Sequence, residues 1–98
     1  MTSSWYVYLI KSFKDGTIYT GISTDYKRRI KEHNSGKGAK YTRGRGPWYL
    51  MAVYVVSTKS EALKKEANIK TLSREQKIKF CNDSFQRYAG GEMSKKSH

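Results

Sequence analysis

The alternation of apolar and polar positions divides the chain into short, recognisable elements. Residues 5–11 form an aromatic and β-branched run that predicts a strand. Lys14-Asp15-Gly16 supplies turn chemistry, and Thr17 to Ile22 predicts a second strand close enough behind the first for an antiparallel hairpin. Ser23-Thr24-Asp25 offers a cap for a helix over Tyr26–Asn34. Ser35 to Pro47 is rich in Gly and basic residues and lacks apolar periodicity, so it reads as an exposed, mobile loop. The continuous apolar run Trp48–Val56 predicts a strand buried on both faces, as in the centre of a sheet. Thr58-Lys59-Ser60-Glu61 and Ser73-Arg74-Glu75-Gln76 are capping-box patterns opening two further helices, the last running through Cys81. From about Asp83 periodicity fades into Gly, Ser and Lys. The expected fold is α/β (α+β), a small three-stranded antiparallel sheet flanked by helices in the order β-β-α-β-α-α. It would occupy residues 1–82, with 83–98 a disordered basic tail.

Glu66 breaks the pattern of its helix. At about 100° per residue, Ala62, Leu63 and Ile69 gather into one apolar stripe while Lys64, Lys65 and Asn68 point away. Glu66 projects from the middle of that stripe. An unpaired buried carboxylate costs several kcal/mol, so it calls for a cation, a hydrogen-bond network or water. The chain otherwise carries 20 Lys+Arg against 8 Asp+Glu, a formal net charge of +12. In that setting a lone inward carboxylate suggests a metal site. The alternative is an exposed pair with Lys70 one turn later, worth only about 0.2–0.5 kcal/mol.

The charge predicts a polyanionic partner, nucleic acid before an anionic membrane, because the cations are not confined to one amphipathic face. No apolar run approaches the roughly 20 residues that span a bilayer, and no signal-peptide pattern precedes the first strand. The lone Cys81 forms no internal disulfide and fits a reducing cytoplasm. Residues 25–45 hold eight Lys or Arg and two acids. Within their helix, Tyr26 and Ile30 mark the inward face, with Arg29 and His33 along its edge and Arg28 nearly opposite. From helical spacing alone, the commoner reading is an ordinary surface arginine and a capping or partly buried histidine. Eight tyrosines is a high number for this length, and a hairpin would bring Tyr8 near Tyr19. Gly21, unfavourable within a strand, points to a bulge or to close approach by a backbone or ligand.

Val7-Tyr8-Leu9, Tyr19-Thr20-Gly21, Asp25 to Ile30 with His33-Asn34, Lys40-Tyr41-Thr42 and Glu66 to Lys70 together resemble the GIY-YIG nuclease family. They are most similar to its small, stand-alone, single-domain branch (UPF0213-like). The triads match at their tyrosines and the final glycine only, which keeps the hydroxyls in place. The resemblance implies phosphodiester hydrolysis by an endonuclease acting on DNA before RNA, with one Mg²⁺ or Mn²⁺ ion, and a role in DNA repair or recombination. It implies Glu66 as the only protein carboxylate on the metal, Arg29 as the phosphate clamp, and Tyr8 and Tyr19 as the groups that orient water or take its proton. His33 would share that proton transfer or hold the tyrosine, and Gly21 would support the site. Lys27, Lys37, Lys40, Tyr41, Arg43 and Arg45 would contact nucleic acid. A late site asparagine has no secure counterpart, Asn82 and Asn68 both being available. Absence of a second domain leaves room for a protein partner that supplies specificity to a monomer. The rival reading is a non-catalytic nucleic-acid-binding module with the same fold.

Overall fold

In the computed structural model, which describes residues 4–88 and side chains as far as Asn82, the chain order is β-β-α-β-α-α. The strands are β1 (Trp5–Ser12), β2 (Ile18–Ser23) and β3 (Trp48–Val56), and the helices are α1 (Tyr26–Asn34), α2 (Lys59–Lys70) and α3 (Arg74–Tyr88). All strand pairing is antiparallel, in the spatial order β2-β1-β3. The hairpin between β1 and β2 closes on Ser12 and Asp15. Ser12 Oγ accepts from the amides of Lys14 and Asp15 at 3.0 and 3.1 Å, and Asp15 Oδ1 accepts from Thr17 N at 2.9 Å. Gly16 takes a φ of +76°, which an L side chain rarely adopts.

β1, not β3, is the central strand, which corrects the reading of Trp48–Val56. The reason lies in pairing and coverage together: helices on both sides of the sheet bury Trp48 and Ala52, so an edge strand can also be continuously apolar. Its exposed positions include Tyr49, Leu50 and Val55. β1 shows the burial expected of a centre. Val7 and Leu9 join Ala52, Ala62, Ile69 and Cys81 in one core, while Tyr8 and Ile10 join Trp48 in another. Tyr26 and Ile30 of α1 cover the second core, and α2 and α3 contribute to the first.

Local signals set the helix starts. Asp25 caps α1 by accepting from Arg28 N at 3.1 Å. Thr58 and Glu61 form a reciprocal capping box on α2, and Ser73 and Gln76 exchange equivalent bonds at the start of α3. The inward stripe of α2 differs from expectation by one position. Leu63 is 46% exposed, whereas Lys65 is half-buried beside Ala62, Glu66 and Ile69. Lys65 can turn inward because its ammonium lies 4.8 and 5.6 Å from the Tyr54 and Phe80 ring centroids.

The segment Ser35–Pro47 is also more structured than a plain exposed loop. It contains a 3₁₀ turn over Lys40–Thr42 with Thr42 fully buried, and Gly38 is buried against His33. α3 runs past Cys81 to Tyr88, and residues 89–98, most of the expected tail, lie outside the described residues. Among the described residues, no helix is long and apolar enough to cross a membrane.

Candidate active site

Pairing of β1 with β2 sets Tyr8 opposite Gly21. A Cβ on Gly21 would lie 2.5 Å from the Tyr8 hydroxyl oxygen and 2.6 Å from its Cζ. The glycine therefore makes room for a side chain, where the sequence suggested a bulge, backbone or ligand. Tyr8 lies buried across this gap, its ring centroid 6.5 Å from that of Tyr19. From α1, His33 enters the same space, and its Nε2 lies 2.8 Å from the Tyr8 hydroxyl. His33 Nδ1 meets Thr42 Oγ1, also at 2.8 Å.

The direction of these bonds follows from the far end. Thr42 Oγ1 donates its one proton to Ala39 O at 2.8 Å, so toward His33 it accepts. Nδ1 then carries the imidazole proton, Nε2 is bare, and Tyr8 donates to it. Burial, helped by the Arg29 guanidinium, lowers the His33 pKa to about 4, which keeps the ring neutral near pH 7. Burial also pushes the Tyr8 phenol well above its ordinary value. The neighbouring Tyr19 and Glu66 raise it further, and Arg29 opposes the shift without overcoming it. Arg29 thus does not convert Tyr8 into a ready base in the free protein. With its proton held by His33, Tyr8 instead has oxygen lone pairs left to accept from water.

Arg29 is itself held by Glu32. Its Nη1 lies 2.7 Å from Glu32 Oε1, while Arg28 reaches the other oxygen at 3.0 Å. The Arg29 contact is the first cause of the lowered Glu32 pKa, so this carboxylate stays ionised and keeps its grip. Glu32 and, on its other side, the Tyr8 hydroxyl draw on part of the guanidinium fork, and its other donors are left for a ligand. As expected, Arg28 is the more exposed arginine.

Glu66, on α2, is within electrostatic range of Tyr8, whose ionisation it disfavours. Its side chain is 18% exposed, and its Oε2 lies 3.2 Å from Lys70 Nζ. The expected inward carboxylate is present, and it has the cationic partner that the plainer reading proposed. Lys70 is 53% exposed, so solvent screens the pair and it contributes little stability. Among the described residues, no three His, Cys, Asp or Glu side chains converge on a point. A single carboxylate oxygen with a displaceable ammonium does fit a hard cation that keeps most of its waters.

Tyr19 connects this cluster to an open cleft of about 300 Å³ lined by Ile18, Tyr19, Thr20, Tyr41 and Lys70. Tyr41 lies near-parallel to Tyr19, with centroids 6.0 Å apart and 25° between planes. Lys27, Lys37, Lys40 and Arg43 are exposed, whereas Arg45 is bound to Asp15 at 2.9 Å and to the Tyr41 carbonyl at 2.9 Å. Asn68 and Asn82 are both exposed. Tyr8, Tyr19, Arg29 and His33 are thus neighbours in space, with Glu66 within electrostatic range of Tyr8, although the five come from four elements.

A model of the GIY-YIG catalytic domain matches residues 4–79. The chain belongs to this family. It is 56% identical over 79 residues to the UPF0213 protein of Cupriavidus necator, covering 81% of this chain and 85% of that one. Against the UPF0213 protein of Halobacterium salinarum the identity is 54% over 72 residues, covering 74% and 92% of the two chains. The solution NMR structure of the UPF0213 protein BH0048 from Bacillus halodurans matches with a TM-score of 0.52 and 51% identity over 81% of this chain and 83% of that one. An E. faecalis protein solved by the same method matches with a TM-score of 0.60 and 40% identity, over 84% and 86%. Both structures support the α+β fold, and these names carry no substrate or activity.

Two contributors were not singled out from sequence. Glu32 stands three and four residues after Arg29 and Arg28, the spacing of helical ion pairs, and could have been found that way. Thr42 was noted only as part of Lys40-Tyr41-Thr42. Its contact with His33 depends on how the intervening loop folds back.

Proposed function

We propose that this GIY-YIG domain is a divalent-metal-dependent endonuclease that hydrolyses phosphodiester bonds in DNA. The observation that carries the reading is the convergence of the Tyr8–His33 hydrogen bond, Tyr19, Arg29 and Glu66 beside an open cleft. Repair or recombination in the cytoplasm is the setting we assign, on the family resemblance and the lone Cys81. A protein partner could supply specificity.

In this reading Arg29 binds the scissile phosphate with the donors Glu32 leaves free. Glu66 would hold one Mg²⁺ or Mn²⁺ ion in place of Lys70, and that ion would supply charge stabilisation to the phosphate and leaving oxygen. Tyr8 and Tyr19 orient the attacking water. The water oxygen forms the new bond to phosphorus as the bond to the leaving oxygen breaks. If Tyr8 takes the water's proton, its own must move to His33 Nε2. That transfer is unfavourable in the free protein, given the lowered His33 pKa. A bound phosphodiester favours it, because its negative charge opposes that of Arg29. Otherwise His33 fixes Tyr8 and the proton leaves by solvent.

The Glu66–Lys70 pair favours a second reading, because it partners the carboxylate without any metal. A binding module of the same fold would need nothing more. Incubation of labelled DNA and RNA single strands, duplexes, flaps and junctions with Mg²⁺, Mn²⁺ or EDTA separates the two. Metal-dependent cutting supports the nuclease, and salt-sensitive binding without cutting on every substrate supports the module.

A further inference from the structure

The cleft lined by Tyr19 and Tyr41 is larger than a water site and lies beside the catalytic cluster. Tyr41 is 52% exposed, yet its ring does not hang free. The Arg45 guanidinium lies 4.7 Å from the ring centroid, and Arg45 is anchored to Asp15 and to the Tyr41 carbonyl. An exposed aromatic ring held in place suits stacking, since little order remains to be gained on binding. On the other side, Tyr19 stands edge-on to His33, with centroids 5.1 Å apart, and so joins the cleft to the Tyr8–His33 pair. Lys70 adds a cation at the rim.

We propose that this cleft receives one unpaired nucleobase of the substrate strand, stacked on the exposed ring of Tyr41, which Tyr19 backs at 6.0 Å. The favoured substrate then carries a single-stranded, bulged or frayed nucleotide next to the phosphate that Arg29 binds. The inference rests on the nucleic-acid reading above and names its substrate class. A volume of about 300 Å³ lies at the small end of ligand sites and has room for a planar base. In an intact duplex, both faces of a base are already stacked, and withdrawing it carries an unstacking cost that an unpaired base largely avoids. Lys40 and Arg43, exposed and close to Tyr41 along the chain, can hold backbone without selecting a base.

Binding in EDTA at fixed salt tests the inference separately from cleavage. Fluorescence anisotropy would compare three DNAs: a duplex with one bulged base, the same duplex with an abasic residue in the bulge, and the perfect duplex. The base-bearing bulge should bind roughly 5- to 150-fold tighter than the abasic one, the range for one base stacked on an aromatic side chain. Tyr41→Leu should erase that difference, Tyr41→Phe should keep it, and Lys40→Ala should weaken all three DNAs alike. As a readout on unaltered protein, 2-aminopurine placed in the bulge should lose fluorescence on binding. Equal affinity for base-bearing and abasic bulges, or a preference that survives Tyr41→Leu, would overturn the inference, as would unquenched 2-aminopurine in the complex. Base-dependent binding without any metal-dependent cutting would uphold the subsite and refute the nuclease reading. Absence of all binding would refute both.

Discussion

Replacing Thr42 by Val would test the hydrogen-bond chain that fixes Tyr8. Thr42 is fully buried, accepts from His33 Nδ1 at 2.8 Å and donates to Ala39 O at 2.8 Å. Valine fills nearly the same space but strands the Nδ1 proton in a dry environment. Leaving a buried donor unsatisfied costs about 1–3 kcal/mol. A central figure of about 2 kcal/mol corresponds to roughly 10 °C of Tm in a domain this size. The ring can escape part of the cost by adopting the other tautomer. Nε2 would then donate to the Tyr8 oxygen, and the Tyr8 proton would lose its acceptor. Urea and thermal unfolding measure the stability change, and ¹⁵N shifts of the His33 ring report which nitrogen is protonated. Thr42→Ser retains the hydroxyl and should retain the wild-type tautomer. A Val variant within about 0.5 kcal/mol of wild type, or wild-type protein with its proton on Nε2, would refute the directionality assigned to the chain.

His33 also makes stability depend on pH. Its folded pKa is about 4 against an ordinary 6.5, so the contribution is complete above about 6.5 and is lost as pH falls toward 4. The loss is bounded at about 3 kcal/mol, less whatever solvent screening removes, and His33→Gln should flatten this part of a urea-midpoint profile. Gly21→Ala should cost about 1–3 kcal/mol and disturb the His33 ring resonances, because the new Cβ meets buried Tyr8; native stability with unchanged resonances would count against the packing argument. Arg29→Ala should slow cleavage by roughly 10²–10³-fold, the scale for losing a donor to developing charge. Arg28→Ala, at a more exposed position, should leave both rate and stability nearly unchanged, and equal effects would discredit the roles given to the two arginines.

Element order was legible because each helix start carries its own local chemistry: Asp25, the Thr58–Glu61 box and the Ser73–Gln76 pair all cap where their spacing indicates. The place of each strand in the sheet was not legible. Apolar continuity in Trp48–Val56 reports coverage by helices, and only pairing reveals that β1 lies in the middle. Helical spacing placed Arg29, His33 and Glu66 correctly toward the sheet or its edge, but exchanged Leu63 with Lys65. A lysine stem lying over Tyr54 and Phe80 counts as polar in a pattern while behaving as apolar in the fold. Thr42 could not be placed, since no periodicity links a loop residue to a histidine on the preceding helix. The direction of the Tyr8–His33–Thr42 bonds lies further still from the sequence. It depends on the competing acceptor at Ala39 O, which only the folded loop supplies.

The most direct measurement is the cleavage rate of wild type and Glu66→Ala on the best substrate, in Mg²⁺ and in EDTA, with folding of both proteins verified. Several kcal/mol of charge stabilisation depends on the ion that Glu66 is proposed to hold, so the variant should lose at least roughly a hundredfold. It should keep its fold and most of its affinity for nucleic acid. Equal cleavage by both proteins, or cutting that persists undiminished in EDTA, would contradict the assignment of Glu66 as the metal-holding carboxylate.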